Sequence, residues 1–263
     1  MLYARALLLR NCGRFTHVSS DFGSQYHTHI FVTSEALHAG LTRGATWRHT
    51  DRYVDLTLDA AKGLGRDYFH CDYDVSRMPV WFTPGLFVDE GLQVLGKSHQ
   101  AVDSHYFNVV DEGYPSTGAN GRPYFVPTYG TIEGVLPDHR LFTWALSPSR
   151  TELEGYIRGQ VFLLGKKRTM FQIVSMGNIV DGQRTNEKCN VPYLELPPAD
   201  SQRFASFSVL AVTARYILLQ GETRDSVPCW KFYDGLPFGE LILPEFYLNS
   251  TPLPRTLWDA NRP

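Results

Sequence analysis

Apolar residues occur along this chain mainly in short runs that are broken by glycine, proline and polar residues. The first run, Leu2–Arg10, is followed by the turn-like Asn11–Gly13 and predicts an opening β-strand. Residues His29–Thr33 predict a second extended piece. The clearest helical pattern runs from Thr50, a good N-cap, to Leu64, and glycines at 63 and 65 end it.

The second half of the chain predicts mostly strands. Residues Pro79–Pro84 predict a strand between two prolines, Leu141–Leu146 predicts another, and Ser149 is a predicted cap for a short helix that ends at Ile157. Residues 160–175 predict a strand pair, or one long strand, interrupted by a basic turn. Further single strands are predicted over Ala205–Leu219 and Leu241–Leu248.

A long segment without clear periodicity separates these two halves. Residues 85–128 contain six glycines and three prolines among aromatic and polar residues. A connection of this length is unusual within a compact domain, so the segment predicts a projecting hairpin or a functional insertion.

The order of elements predicts an α+β fold. It is that of a ferredoxin-like (RRM/RAMP) antiparallel sheet with helices on one face, and such an open sheet is a frequent RNA platform. We therefore expect a domain over residues 1–175 with the 85–128 insertion, and a β-rich extension over 176–263 packed on the same domain.

Composition excludes several classes of protein. The chain has 263 residues, of which 43% are hydrophobic, so it can bury a large core. No apolar run exceeds four residues, which predicts no membrane span and a cytoplasmic protein. The four cysteines, at positions 12, 71, 189 and 229, form no Cys-x-x-Cys pair, so we expect no metal site, no disulfide scaffold and no cofactor.

The charge pattern points to a local cationic patch. Overall, 25 Lys and Arg residues oppose 27 Asp and Glu residues, for a net charge of −2. Residues 150–168 carry five cations against two glutamates, and Gly165 precedes the consecutive Lys166, Lys167 and Arg168. A glycine permits close backbone approach, and neighbouring cations favour a phosphodiester, so this stretch predicts RNA binding.

Other residues could join such a patch. Cations, imidazoles and tyrosines supply phosphate contacts, hydrogen bonds and stacking faces for a single strand. On this basis the remaining candidate RNA-binding residues are Arg43, Arg48, Lys97, His99, His105, Tyr106 and Arg122.

A series of short segments stands out in order along residues 1–175. The segments are Phe31–Glu35, Thr50–Leu64, Trp81–Pro84, Asp103–Phe107, Tyr129–Glu133 leading to Leu136, Trp144–Ser147, and Ile157–Arg158 with Leu164–Lys166. Together they resemble one family, the small RAMP-type (Cas-five group) subunit of the type I-D CRISPR surveillance complex. The equivalent subunit of a type IV complex is similar too.

The resemblance implies a non-catalytic subunit of a prokaryotic, Cascade-like complex. Such a subunit clamps the 5′ handle of CRISPR RNA (crRNA) and contacts the terminal Cas-seven type backbone subunit. It also helps to seat the large subunit, of the Cas-ten-d or Cas-eight type, near the protospacer-adjacent motif of target DNA. The 85–128 insertion is then the expected thumb between guide bases.

Two alternatives remain open from the sequence. His27 and His29 would lie on one face of a strand and could perform metal-free cleavage of repeat RNA, with Tyr26 and Lys166 as further candidates. The 35 aromatic residues would also suit a stand-alone β-rich module that binds a sugar or a peptide.

Overall fold

The computed structural model describes the protein in twelve ranges of residues. They are 1–16, 18–21, 25–34, 36–38, 40–41, 80–95, 102–108, 115–117, 123–125, 129–164, 169–212 and 216–250. The backbone alone is described for 18–21, 25–27, 102–108, 115–117, 123–125, 129–132 and 249–250. The predicted helix Thr50–Leu64 lies outside these ranges.

Strands dominate the described residues. In chain order they are β1 Tyr3–Asn11, β2 Val18–Asp21, β3 Gln25–Thr28, β4 Phe31–Val32, β5 Trp81–Phe82, β6 Gly85–Val88, β7 Val102–Asn108, β8 Pro115–Thr117, β9 Pro123–Phe125, β10 Tyr129–Val135, β11 Arg140–Ser147, β12 Val161–Leu164, β13 Thr169–Asp181, β14 Gln183–Glu187, β15 Asn190–Leu196, β16 Phe204–Val212, β17 Ile217–Thr223, β18 Val227–Gly235 and β19 Gly239–Pro244. Helix α1 comprises residues 34, 36–38, 40 and 41, α2 is Arg150–Glu154, α3 is Glu245–Ser250, and Pro198–Arg203 forms a 3₁₀ turn.

A seven-stranded main sheet organises the fold. Its order is β12-β13-β1-β11-β6-β4, with β5 also paired to β11, and every pair is antiparallel. The four strands β13, β1, β11 and β6 reproduce the ferredoxin-like order, in which the first strand lies between the last and the third. The predicted α+β, ferredoxin-like antiparallel fold is confirmed.

Both faces of the main sheet are buried, because side chains alternate along each strand. On one face, Leu7 and Leu9 share a core with Leu37 and Leu41 of α1 and with Leu153 of α2. On the other face, apolar residues of β1 and β11 share a core with the C-terminal strands and α3; its members include Ala4, Ala6, Trp144, Leu146, Leu194 and Tyr247. The continuous apolar run Ala6–Leu9 reflects burial on both sides.

The C-terminal strands form two small sheets that cover the second face. Their orders are β14-β18-β19 and β15-β17-β16. Strand β13 leads into them without a break at residue 175, since it runs from Thr169 in the main sheet to Asp181. Gly182 then turns the chain where an added Cβ would lie 2.6 Å from Phe232 and 2.9 Å from the Leu2 carbonyl oxygen.

The predicted insertion contains a hairpin whose bounds differ from the prediction. Strands β7 and β10 pair from Asn108 opposite Tyr129 to Val102 opposite Val135, and β8 pairs with β9 between them. Strands β3 and β2 extend this second sheet. Residues 85–95 belong instead to the main sheet and its core, because β6 pairs with β11 and Leu95 is buried.

Two strand predictions in the C-terminal region were wrong. The predicted strand Ala205–Leu219 is two antiparallel strands, β16 and β17, in which Val212 pairs with Ile217. The predicted strand Leu241–Leu248 ends at Pro244, and helix α3 begins at Glu245. Proline has no N–H to donate to a continuing ladder but suits the residue before a helix turn.

Candidate nucleic-acid interface

Several connections of the fold start from one end of the main sheet, where β1 ends and β11 and β13 begin; we call it the Asn11 end. Leu164 and Thr169 are paired across β12 and β13, so residues 165–168 join these two strands there. The Cys12 N–H donates to the Met170 carbonyl oxygen at 2.8 Å, and the Thr169 hydroxyl donates to the Arg14 carbonyl oxygen at 2.8 Å. These bonds fasten the chain beyond β1 to the start of β13.

The fully buried Asn11 side chain fastens the hairpin to the same end. Its amide nitrogen donates to the carbonyl oxygens of Gly13 at 3.0 Å and Leu136 at 2.7 Å, and its Oδ1 accepts from the His139 N–H at 2.7 Å. Phe15 and Val135 exchange backbone hydrogen bonds at 2.9 and 2.8 Å. The base of the β7–β10 hairpin is therefore held beside the end of β1.

The last described residues of helix α1 lie at this place as well. An added Cβ on Gly40 would overlap Leu164 and lie 3.1 Å from the Leu163 carbonyl oxygen, so only glycine allows the helix to approach β12 this closely. Arg43 follows Leu41 by two residues, and Lys166 follows Leu164 by two. The last described residues before these two predicted cations thus belong to neighbouring elements, α1 and β12.

The ten predicted RNA-binding residues are only partly placed. Outside the described residues lie Arg43, Arg48, Lys97, His99, Arg122, Lys166, Lys167 and Arg168. His105 and Tyr106 lie on β7, opposite Ile132 and Thr131, with the backbone alone described. In the sequence, Lys97 and His99 fall between the described residues Leu95 and Val102.

The sheet face opposite α1 and α2 is not the open RNA platform that the sequence predicts. Ala4 and Ala6 are 0% exposed and Trp144 is 4% exposed, because the C-terminal strands and α3 pack over them. The sequence could not reveal this cover, since a long-range packing contact between strands of separate sheets leaves no local signal. Nucleic acid can reach this face only where the cover ends.

The cationic region 150–168 is also divided in space. The Arg150 guanidinium lies 4.0 Å from the Asp181 carboxylate, at the far end of β13 from Thr169. Asp181 follows Thr169 by twelve residues along β13, which corresponds to at most roughly 40 Å. Arg150 therefore lies far along β13 from Thr169, the first described residue after the predicted cations 166–168.

Two arginines that the sequence analysis did not select lie at the Asn11 end. Arg10 and Arg140 are direct partners across β1 and β11. Their side chains are 45% and 39% exposed, and each lies 3.8 Å from a carboxylate, that of Asp138 and that of Glu90 respectively. The sequence does show that each arginine lies at the polar end of an apolar strand. It does not show that the two arginines pair with each other across β1 and β11.

The predicted histidine pair does not share one strand. Strand β3 ends at Thr28, whose hydroxyl donates to the Glu133 carbonyl oxygen at 2.6 Å. His29 follows the strand, and its ring stacks on that of Phe31 with centroids 4.9 Å apart. Strand alternation therefore does not place His27 and His29 on one face as predicted.

One group of potential metal ligands occurs among the described residues. Oxygen and sulfur atoms of Glu187, Cys189 and Cys229 lie within 4.8 Å of one another. Burial is the main cause that raises the pKa of Cys189 to about 12, and the Glu187 carboxylate pairs with Lys231 at 2.6 Å. Cys189 and Cys229 also belong to the core that the C-terminal strands share with the main sheet.

No family model and no curated protein sequence matches this chain. Two solved structures are similar to it at 10% sequence identity. A chain of the cryo-EM structure of the type III-B Cmr-beta bound to cognate target RNA aligns over 68% of this chain and 60% of its own length, with a TM-score of 0.36. The crystal structure of a CRISPR protein from Archaeoglobus fulgidus aligns over 92% of this chain and 99% of its own, with a TM-score of 0.38.

This chain therefore spans about 60% of the length of the first of these structures. Both neighbours come from CRISPR systems. TM-scores this low do not establish a common fold or function, so only this chain's own residues can support a function for it. Within the described ranges, no helix combines the length and the apolar character that crossing a bilayer requires.

Proposed function

We propose that this chain is a non-catalytic subunit of a class 1 CRISPR effector complex of type I-D, or of the related type IV. It binds and caps the 5′ handle of crRNA. It contacts the terminal Cas-seven type backbone subunit and the large subunit, and so supports recognition of target DNA.

The arrangement of the Asn11 end is the observation that carries this proposal. The ends of β12 and α1 as far as they are described, Leu164 and Leu41, and the base of the β7–β10 hairpin all lie there, fastened by Asn11, Thr169 and Gly40. The first two lead to the predicted cations Arg43 and Lys166–Arg168. A cap for an RNA end needs cations and a hairpin presented from one rigid place, and the arrangement of this sheet end supports the inference that it is that place.

We choose RNA as the ligand because short segments along residues 1–175 resemble, in order, those of the RAMP-type subunits. The ferredoxin-like strand order is consistent with that resemblance, while the slightly acidic charge of −2 favours binding through a local patch. The apolar cover on the second sheet face moves the expected contact to the sheet end and its loops.

A tagged copy isolated from its own host tests the proposal. We expect crRNA and a Cas-seven type subunit to co-purify with it, as detected by RNA sequencing and mass spectrometry. The triple variant Lys166→Glu, Lys167→Glu, Arg168→Glu should lose most of the crRNA while repeat processing in the host continues. Reversed charge repels the phosphates that these cations would contact.

A control with the same change of charge is available elsewhere on the surface. Arg150, Lys188 and Arg224 are exposed and outside the Asn11 end, so their combined change to Glu should leave crRNA recovery intact. Equal crRNA recovery with both triple variants would contradict the proposal. Metal-free cleavage of repeat RNA by the purified chain would favour the ribonuclease alternative, and a monomer that ignores RNA would favour the sugar or peptide module.

A further inference from the structure

Two arginines face each other in the interior of the main sheet. Arg10 and Arg140 are register partners on β1 and β11, each of which has a neighbouring strand on both sides. Like charges directly opposite each other destabilise a sheet. Charges are common on edge strands, where they prevent aggregation, but these two strands have no free edge to protect.

The carboxylates beside the two arginines are weak competitors for a ligand. Asp138 and Glu90 each lie 3.8 Å from their arginine, and their side chains are 79% and 95% exposed. Exposed ion pairs of this kind contribute little free energy. An incoming anion can therefore displace them from the guanidinium groups at small cost.

The apolar cover stops one row before these arginines. Leu8 and Phe142, the partners two residues inward, pack with Ala211 and Leu218 of the C-terminal strands. From Arg10 and Arg140 outward, the same face of the sheet is accessible. The pair thus occupies the uncovered margin of the sheet face.

An exposed apolar strip lies beside the arginines on this face. Val161, Leu163 and Met170 are 45%, 50% and 45% exposed, and Leu163 pairs with Met170 across β12 and β13. Arg10 is the partner of Gln172 on β13, so Met170 is its diagonal neighbour, about 7–8 Å away. One nucleotide can span the distance from the guanidinium groups to this strip.

We propose that Arg10 and Arg140 bind a backbone phosphate of a single nucleic-acid strand, and that Leu163 and Met170 contact the adjacent sugar or base. A guanidinium pair presents a fork of donors that matches phosphate oxygens. The inference rests on the proposed function only for the choice of RNA over DNA.

Binding of fluorescein-labelled ten-nucleotide single strands to the full-length chain, measured by anisotropy from 50 to 300 mM salt, tests the site. Both the repeat-handle RNA and oligo-dT serve as probes. The variant Arg10→Gln/Arg140→Gln should weaken binding roughly tenfold. Its slope of log affinity against log salt should flatten by about 0.7 for each phosphate that the variant no longer neutralises.

Two further variants separate binding from stability. Arg150→Gln is the matched control, because Arg150 is also exposed and also lies near one carboxylate, that of Asp181 at 4.0 Å. This variant should change neither the affinity nor the salt slope. Arg10→Lys/Arg140→Lys keeps the charge, so it should retain the salt slope while losing part of the affinity. The glutamine variant should melt no lower than the wild type, because it removes a like-charge pair.

The outcomes distinguish this site from the wider function. Unchanged affinity and slope in the glutamine variant, with a wild type that binds, would overturn the site and leave the crRNA proposal standing. A lower melting temperature with unchanged binding would assign the arginines to stability and overturn the site. Arginine-dependent binding of both probes alike would support the site and count against the crRNA proposal, and no binding by the wild type would overturn both.

Discussion

Gly177 shows how a single residue joins the two parts of the molecule. The pairing of β13 with β1 shifts register between Met176 and Ile179, and the Asp234 carboxylate occupies the space over the glycine. Its oxygens accept hydrogen bonds from the Asn178 N–H at 3.0 and 3.1 Å and from the Asn178 amide nitrogen at 3.0 Å. The Asp234 carboxylate on β18 thus accepts hydrogen bonds from Asn178, at a point where β13 departs from regular pairing with β1.

Gly177→Ala should lower the free energy of unfolding by about 2 kcal/mol. The new Cβ would overlap the Asp234 carboxylate and displace it from the Asn178 donors. Urea denaturation measures the change. Gly13→Ala is the control, because its Cβ would meet only a Thr169 methyl at 3.8 Å and should change stability by less than about 0.5 kcal/mol. Equal effects of the two substitutions would contradict the packing described for Gly177.

The cysteines should differ sharply in reactivity. Cys12 is exposed, whereas Cys189 and Cys229 are 1% and 0% exposed, and burial raises the pKa of Cys189 to about 12. Thiolates are the reactive species, so buried protonated thiols are inert. In a Cys71→Ser background we expect one thiol to react with Ellman's reagent at pH 8 in the native state, and all three remaining thiols in denaturant. Fast native reaction of the Cys12→Ser/Cys71→Ser variant would contradict the burial of the pair.

At the scale of elements, α1 depends on a buried histidine. His38 is 2% exposed, and its ring packs 5.4 Å from that of Trp81 and 6.1 Å from that of Phe82 on β5. Burial lowers the pKa of His38 to about 4 from 6.5. Protonation of this side chain therefore opposes the packing of α1 on the sheet.

His38 should make stability fall in acid. The unfolded chain binds a proton near pH 6.5 and the folded chain only near pH 4, so the contribution of neutral His38 is complete above pH 6.5 and is lost as the pH falls towards 4. The difference of about 2.5 pH units corresponds to about 3 kcal/mol. Urea titrations at pH 7 and pH 4.5 should show a smaller loss for His38→Leu than for the wild type. Equal losses would show that His38 does not cause the pH dependence.

Elements formed by neighbouring residues could be predicted, and elements formed by distant pairing could not. Apolar runs and turn residues identified β1, β11 and the β12–β13 pair. Ser149 does precede α2, although its hydroxyl bonds the Thr151 hydroxyl at 2.8 Å and no side-chain cap forms. Residues 205–219 were predicted as one strand because both parts of this segment are rich in apolar residues. Only the pairing of Val212 with Ile217 shows that they form two strands, β16 and β17.

At the scale of the whole molecule, the candidate interface depends on register. The cations at 166–168 stand out in the sequence because they are consecutive. Arg10 and Arg140 are 130 residues apart, and only the pairing of β1 with β11 brings them together. The cover over Ala4 and Ala6 is equally invisible to local patterns. The sequence therefore predicted the ferredoxin-like sheet correctly. It also predicted that one face of this sheet is open, whereas the C-terminal strands pack on that face.

Two substitutions on one face of one strand locate the edge of that cover. Ala6 and Arg10 are four residues apart on β1, so their side chains point to the same side of the sheet. Ala6 is 0% exposed beneath the C-terminal strands, and Ala6→Asp would bury an unpaired carboxylate there at a cost of several kcal/mol. We expect this variant to fail to fold, whereas Arg10→Asp should retain a cooperative melt close to that of the wild type and lose nucleic-acid binding. Circular dichroism melts and anisotropy provide the two readouts. A folded Ala6→Asp variant would mean that the sheet face is open as the sequence predicts, and nucleic acid could then bind across the whole sheet.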